Sequence, residues 1–298
     1  MTLQQLRYVT MVAETGTITE AANRLYISQP SLTNAIHELE KEMNIVIFNR
    51  TNKGISLSRE GEDFLGYARQ ILEQAAILED KYKGNGGGKK QYCVSTQHYS
   101  FAVNAFVDLI KEYGQDEYDF SLRETQTYEI IEDVARLRSE IGILFLNDFN
   151  EAVINKILKS YDLEFHQLYV AKPHVFISRK LPLAGKDRII NEELEEYPYL
   201  SFEQGEHNSF YFSEEVFAAV ERKKNIRVRD RATLFNLLIG LNGYTVCSGV
   251  IDKKLNGKDI IAVPLADEND MRIGYITHRK GMLSRLGNTY LEAIKKYL

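Results

Sequence analysis

Residues 17–44 constrain the fold of this chain more than any other stretch. Ile18, Ala21, Ala22 and Leu25 fall at helical spacing on one face. The small residues at 21 and 22 let a second helix cross close by. Tyr26-Ile27 leaves room only for a tight turn. Ser28 then offers a hydroxyl N-cap, and Pro30 sits in the first turn, where its missing N–H costs nothing. Leu32, Ala35, Ile36 and Leu39 repeat every three to four residues, leaving Gln29, Ser31, Thr33, Asn34 and His37 mostly off the buried stripe. Two helices joined this way, the second polar outward, make a helix-turn-helix.

The same residues carry a family signature. Ala21-Ala22-x-x-Leu25, Ser28-Gln29-Pro30-Ser31-Leu32-Thr33, Ile36-x-x-Leu39-Glu40 and Phe48-x-Arg50 resemble the pattern of LysR-type transcriptional regulators. The match is dense through the first 60 or so residues. The order of elements fits to the C-terminus. The resemblance implies a DNA-binding head, a dimerising linker helix, and a periplasmic-binding-protein-like effector domain of two α/β subdomains. It also implies homotetramers on DNA.

Composition is compatible with this. The chain has 298 residues, 44% hydrophobic and 27% charged, as expected of a globular protein with two or more units. No apolar run approaches transmembrane length and no signal peptide opens the chain, so a cytoplasmic protein without membrane partners is expected. Two cysteines, Cys93 and Cys247, make neither a disulfide framework nor a metal cluster. The net charge of −5 is unusual for a nucleic-acid binder, and residues 1–88 carry nine Lys/Arg against eleven Asp/Glu, a net −2. Placement matters more than the sum, because affinity depends on where positive groups meet phosphates. Arg24, Arg50, Lys53 and Arg59 cluster around the motif and the segment after it.

Leu3, Leu6, Val9, Val12 and Ala13 mark a first helix that completes a three-helix core. Ile45–Phe48 and Ile55–Leu57 flank an Asn/Gly turn, a hairpin that forms the wing of a winged helix-turn-helix. Ser58 caps a long helix in which Phe64, Ala68, Ile71, Ala75, Leu78 and Tyr82 recur at heptad spacing, a seam suited to a homodimer. Residues 84–90 are Gly-rich and read as a hinge; they lack the spacing and the Ser/Thr of a phosphate loop. From Gln91 onward strands and helices alternate, which implies parallel sheets. The expected division is 1–58 DNA-binding, 59–83 linker helix, 84–90 hinge and 91–298 effector domain. Following the resemblance, subdomain I takes about 91–162 and 266–298, and subdomain II about 163–265, with strands near 163–170, 173–179 and 197–203 and a helix near 208–223.

In a helix-turn-helix the start of the second helix lies nearest the base edges. Gln29 and Asn34 carry amides suited to adenine, and Ser31 and Thr33 can bond bases or phosphates. Pro30 and the Thr33 methyl can touch thymine methyls. With Thr17 and Ser28 at the helix starts and Arg50 and Lys53 on the wing, these form the expected DNA-contacting set. Regulators of this type often carry a basic residue where Asn34 stands, so the usual specificity does not transfer.

In an α/β cleft, loops and helix N-termini at the C-terminal strand ends bind the ligand. Thr96, Gln97, His98 and Ser100, then Gln126 and Thr127, then Phe202 and Glu203, then Thr233 are the expected effector-binding residues. Such polar loops suit a small polar metabolite. The competing class is a cytosolic small-molecule enzyme or binding protein with an accessory helical domain. The six histidines show no paired ligand spacing, and neither a GxSxG elbow nor a dinucleotide fingerprint occurs. No catalytic residue, metal or cofactor is therefore expected. The expected partners are double-stranded DNA, a metabolite and a second copy of the chain.

Overall fold

The structure is a computed structural model describing residues 1–298 except 52–53, 84–89, 114–116, 208, 252–256, 267–268 and 280. The side chains of residues 50, 51, 54, 73, 77 and 80–83 are also outside the description. The chain divides into two units, Met1–Gly88 and Lys89–Leu298.

The first unit opens with helix α1 (Leu3–Thr15), started by a Thr2–Gln5 capping box and stopped by Gly16 at φ 70°. Helices α2 (Ile18–Arg24) and α3 (Gln29–Met43) follow. Thr17 Oγ1 accepts from Glu20 N at 3.2 Å and Ser28 Oγ from Ser31 N at 3.2 Å, so both N-caps are side-chain hydroxyls. Val9, Val12, Ala21, Ala22, Leu32, Ile36 and Leu39 meet in one core, and Leu6 is buried as well. Strands β1 (Phe48–Thr51) and β2 (Gly54–Leu57) pair antiparallel, Phe48 opposite Leu57, and form the expected wing. Glu40, at the far end of α3, is more than surface charge. Its Oε1 accepts from Ile47 N at 2.7 Å and Phe48 N at 3.1 Å, tying the entry of β1 to the helix.

Helix α4 (Arg59–Lys83) starts where Ser58 Oγ accepts from Gly61 N at 2.8 Å. A Cβ on Gly61 would overlap the Ile47 carbonyl, so the helix and the strand entry approach too closely for any larger residue. Gly61→Ala should therefore destabilise the first unit by about 1–3 kcal/mol, the usual cost of overpacking, read as a lowered unfolding midpoint. Part of the heptad seam is used inside this unit. Leu65 and Ala68 are buried and Phe64 packs on the same core. Of the seam residues, Ile71 and Leu78 remain 38% and 60% exposed, and the Tyr82 side chain lies outside the described residues.

Among the described residues the second unit holds two five-stranded sheets. The first has the order β4 (Tyr118–Glu124), β3 (Lys90–Thr96), β5 (Ile141–Leu146), β12 (Met271–His278), β6 (Leu163–Ala171). Strands β3, β4 and β5 run parallel, whereas β12 runs antiparallel to both β5 and β6. The second has the order β11 (Ile260–Pro264), β7 (His174–Ser178), β10 (Tyr244–Cys247), β8 (Tyr199–Phe202), β9 (Asn225–Val228). Helices α5 (Ser100–Tyr113), α6 (Thr127–Ala135) and α7 (Glu151–Ser160) connect strands of the first sheet. Helix α8 (Arg231–Leu241) serves the second, and α9 (Arg285–Ile294) closes the chain against α5. Ile143 and Phe145 on the first sheet and Val175, Ile177 and Val246 on the second belong to one continuous apolar cluster.

Two sequence expectations are corrected here. Residues 163–171 are expected in the second subdomain but pair with β12 in the first sheet; the chain first passes to the second sheet at Lys172-Pro173. With two residues between β6 and β7, the pair reads in sequence as one hairpin. Among the described residues the helix expected near 208–223 does not form. Residues Phe210–Phe212 make a single 3₁₀ turn, and Phe217 takes φ 63°. The aromatic run favours helix weakly, and the adjacent Glu214 and Glu215 are both drawn into the protein.

Candidate functional site

On the first unit, the residues that α3 offers outward are Ser28, Gln29, Pro30, Ser31 and Asn34, all exposed, with Thr33 half-buried. Thr33 Oγ1 donates to Gln29 O at 2.9 Å, and Thr19 Oγ1 donates to Gln29 Oε1 at 3.3 Å, which steadies the glutamine amide. Ser28 Oγ and Ser31 Oγ lie 2.7 Å apart, so both hydroxyls are engaged in the cap. Thr17 is exposed and likewise spends its hydroxyl on capping. In the first turn of α3 Pro30 has no N–H, and Ser31 N and Leu32 N are bonded to Ser28 Oγ and Ser28 O. Tyr26, 96% exposed at φ 54° in the turn, belongs to this surface and was missed in sequence, where it read only as turn filler. Arg24 is paired with Glu20 at 3.1 Å. Arg50 holds its ladder position opposite Ile55, but its side chain, like Lys53, lies outside the described residues.

On the second unit, the strand-end loops meet between the two sheets. His98 and Phe202 stack face to face at 3.8 Å and 3°. His98 N and Nδ1 each lie 2.9 Å from Glu214 Oε2, with both side chains about 95% buried. Burial pulls the His98 pKa down, but the charge and hydrogen bond of Glu214 outweigh it, and the net shift is upward. Thr127 N donates to Gln204 Oε1 at 3.0 Å, and Gln204 Nε2 reaches Glu214 Oε1 at 3.4 Å. Gln126 lies against Gly205, where a Cβ would strike its amide. Ser100 Oγ donates to Val250 O at 3.1 Å. Arg231, opening α8, pairs with Glu124 at the end of β4.

His98, Ser100, Gln126, Thr127 and Phe202 are thus brought together across the two sheets. Gln97 is buried and fully committed: Nε2 donates to Thr127 Oγ1 at 2.6 Å, while Oε1 accepts from Phe145 N at 3.1 Å and Tyr99 OH at 3.0 Å. Thr96 is buried with its hydroxyl on Gln97 O at 2.7 Å. Glu203 is turned to Arg229, and Thr233 is exposed, its N–H donating to Asp230 Oδ1 at 2.8 Å. Sequence reasoning missed Gln204, Glu214, Glu215 and the Arg231–Glu124 pair. The one visible signal was Gln204 inside a loop already singled out.

Behind Glu214, Glu215 faces a separate cavity of about 210 Å³. Its Oε1 accepts from Phe202 N at 2.8 Å. Burial, then the neighbouring Glu214 charge, push its carboxyl up to about 8, only partly offset by that N–H. The thiols of Cys93 and Cys247 stand on different sheets, and burial raises both.

A winged helix-turn-helix joined to a two-sheet α/β unit with a polar cleft has the build of a DNA reader with a ligand-sensing half. Residues 3–62 match the profile of the bacterial regulatory helix-turn-helix protein, lysR family, and residues 93–298 that of the LysR substrate binding domain. The chain belongs to the LysR family, whose members are transcriptional regulators rather than enzymes. The HTH-type transcriptional regulator ClcR of Pseudomonas putida is 46% identical over 89 residues, 30% of each protein. That match therefore spans less than a third of ClcR. The protein named "Probable RuBisCO transcriptional regulator" of Trieres chinensis is 27% identical over 91% of this chain and 89% of its own. Among solved structures, a full-length single-residue variant of OxyR from Pseudomonas aeruginosa covers 99% of this chain and 95% of its own at TM-score 0.68 and 19% identity. Full-length CbnR in complex with its target DNA covers 100% of both at TM-score 0.57 and 19% identity. At such identity these two speak for the fold alone. No helix among the described residues is long and apolar enough to cross a membrane.

Proposed function

We propose that this chain is a cytoplasmic, sequence-specific DNA-binding regulator that acts as a homo-oligomer and is modulated by a small molecule held in the second unit. The observation that carries the reading is the start of α3, an exposed, hydroxyl-capped polar turn on a family-matched head. Gln29 and Asn34 would read bases, Pro30, Ser31 and Thr33 would add base or phosphate contacts, and Thr17, Ser28, Arg50 and Lys53 would hold the backbone. In the cleft, His98, Ser100, Gln126, Thr127 and Phe202 would contact the effector, with Thr96, Gln97, Glu203 and Thr233 acting behind them. The domain division read from sequence stands within this proposal, except that residues 163–171 go with the first subdomain.

The test is a mobility shift with DNA from upstream of the chain's own gene; no shift at low salt would sink the reading. Within it, Gln29→Ala should cost about 1–3 kcal/mol at the cognate site and relax discrimination at one base pair. Lys53→Ala should instead weaken binding to every sequence and flatten the salt slope by about one unit. Equal losses for Gln29→Ala on cognate and random DNA would remove it from the base readers.

A further inference from the structure

The turn between α2 and α3 carries a residue that its backbone does not favour. Tyr26 sits at φ 54°, in the left-handed region that Gly and Asn enter cheaply and a bulky side chain does not. Of the six described non-glycine residues with positive φ, Asn44, Asp162 and Asn242 are of the tolerant types. Leu137 and Phe217 are half-buried, and Phe217 packs on the apolar cluster of the second unit. Tyr26 has no such compensation, being 96% exposed.

The turn holds this residue firmly in place. Tyr26 N donates to Asn23 O at 3.2 Å and Ile27 N to Ala22 O at 3.1 Å. Leu25 and Ile27, on either side, pack inward on the core of the first unit. Tyr26 is thereby the outward residue of the turn, and its ring buries almost nothing. A strained position whose side chain returns so little to the fold points to a role outside the folded chain.

Its place relative to DNA follows from how the motif docks. The first helix of the pair crosses the phosphate backbone, and the start of the second reaches the base edges. The turn that joins them lies beside the backbone bordering the groove. Donors close by in sequence are already spent. Ser28 and Ser31 place their hydroxyls 2.7 Å apart, and Ser28 takes the N–H groups of Ser31 and Leu32. Arg24 is paired with Glu20 at 3.1 Å. Residues 1–88 carry nine Lys/Arg against eleven Asp/Glu, so neutral donors matter more here than in a strongly basic reader. A phenol is such a donor: its O–H bonds a phosphate oxygen without bringing a charge.

We propose that Tyr26 is a DNA-contacting residue of this head, its phenol donating to a backbone phosphate at the edge of the groove that α3 enters. The proposal rests on the chain being a DNA-binding regulator, and it adds a contact to those of α3 and the wing.

Two variants of the full chain separate the phenol from the ring and from the strain. Tyr26→Phe keeps the ring and removes the donor, whereas Tyr26→Gly removes the side chain and suits φ 54°. The probes are a duplex from upstream of the chain's own gene and a scrambled duplex of equal length, titrated in a mobility shift from low salt upward. Tyr26→Phe should weaken binding to both duplexes by about tenfold, the size of a hydrogen bond to a charged group. Tyr26→Gly should weaken both at least as much, while its unfolding midpoint stays level or rises. The salt slope should match wild type in both variants, because no charge is lost. Should Tyr26→Gly fail to fold, Tyr26→Phe decides alone, since it leaves the ring in place. A Tyr26→Phe variant that binds both duplexes as wild type does would overturn the assignment. So would a loss confined to the upstream duplex, which would make Tyr26 a base reader. Wild type shifting neither duplex would overturn the regulator reading and this contact with it, a failure visible before any variant is compared.

Discussion

His98→Ala is expected to destabilise the second unit by about 3–5 kcal/mol, because it leaves the Glu214 carboxylate buried without its cation. The loss should fall toward the lower end, since His98 N still donates to Glu214 Oε2 at 2.9 Å after truncation. The His98→Ala/Glu214→Ala double variant should lose less than the two single variants added together. Strict additivity would mean that the pair does not hold the two sheets. The same constellation fixes a pH dependence. The folded His98 pKa lies above its ordinary 6.5, so its contribution is complete below about that value and fades as pH rises through the folded value. Glu215 acts in the same direction. Raised from 4.5 to about 8, it stays protonated in the folded chain while the unfolded chain ionises, so stability falls with rising pH across that window. Thermal unfolding followed from about pH 6 to about pH 9 should show a declining midpoint in wild type, and a flatter one in Glu215→Gln, which cannot ionise. A midpoint that climbs over this range would contradict both assignments.

The head of the molecule was legible because its information is local. Ser28, Pro30 and the Leu32–Leu39 spacing declare a helix within a dozen residues, and the caps at Thr17 and Ser28 form as their hydroxyls predict. The cleft was legible only as a set of loops. Gln97 looks in sequence like any exposed amide, but three partners from α6, β5 and its own loop consume it, and only the fold supplies them. Glu214 and Glu215 were hidden for the opposite reason. Two adjacent acids in an aromatic segment carry no local sign of burial, whereas contact with His98 and Phe202 N decides their place. The misplaced strand 163–171 has the same origin. Its pairing partner β12 lies about a hundred residues away, and no local period encodes that register.

Ile71→Glu combined with Leu78→Glu is expected to convert the protein to a monomer that binds its operator about 10²–10⁴-fold more weakly. Both residues remain exposed on α4, beyond the point where Leu65 and Ala68 turn that helix into its own unit's core. They are seven residues apart and so stand on one stripe, the spacing of a two-helix seam. In the isolated chain a carboxylate at either position costs little, because the site is solvated. Across a seam the same charge would be buried against its own copy without a partner, which a dimer cannot absorb. The DNA effect follows from geometry. Two half-sites roughly 34 Å apart are read together only by tethered heads. Separating the heads removes the effective concentration that makes the second contact intramolecular, and avidity of about 10²–10⁴ goes with it. Sedimentation gives the oligomeric state and a titrated mobility shift gives the affinity. A variant that stays folded and sediments as the wild type does would place self-association on the second unit and leave the Ile71–Leu78 stripe without a role.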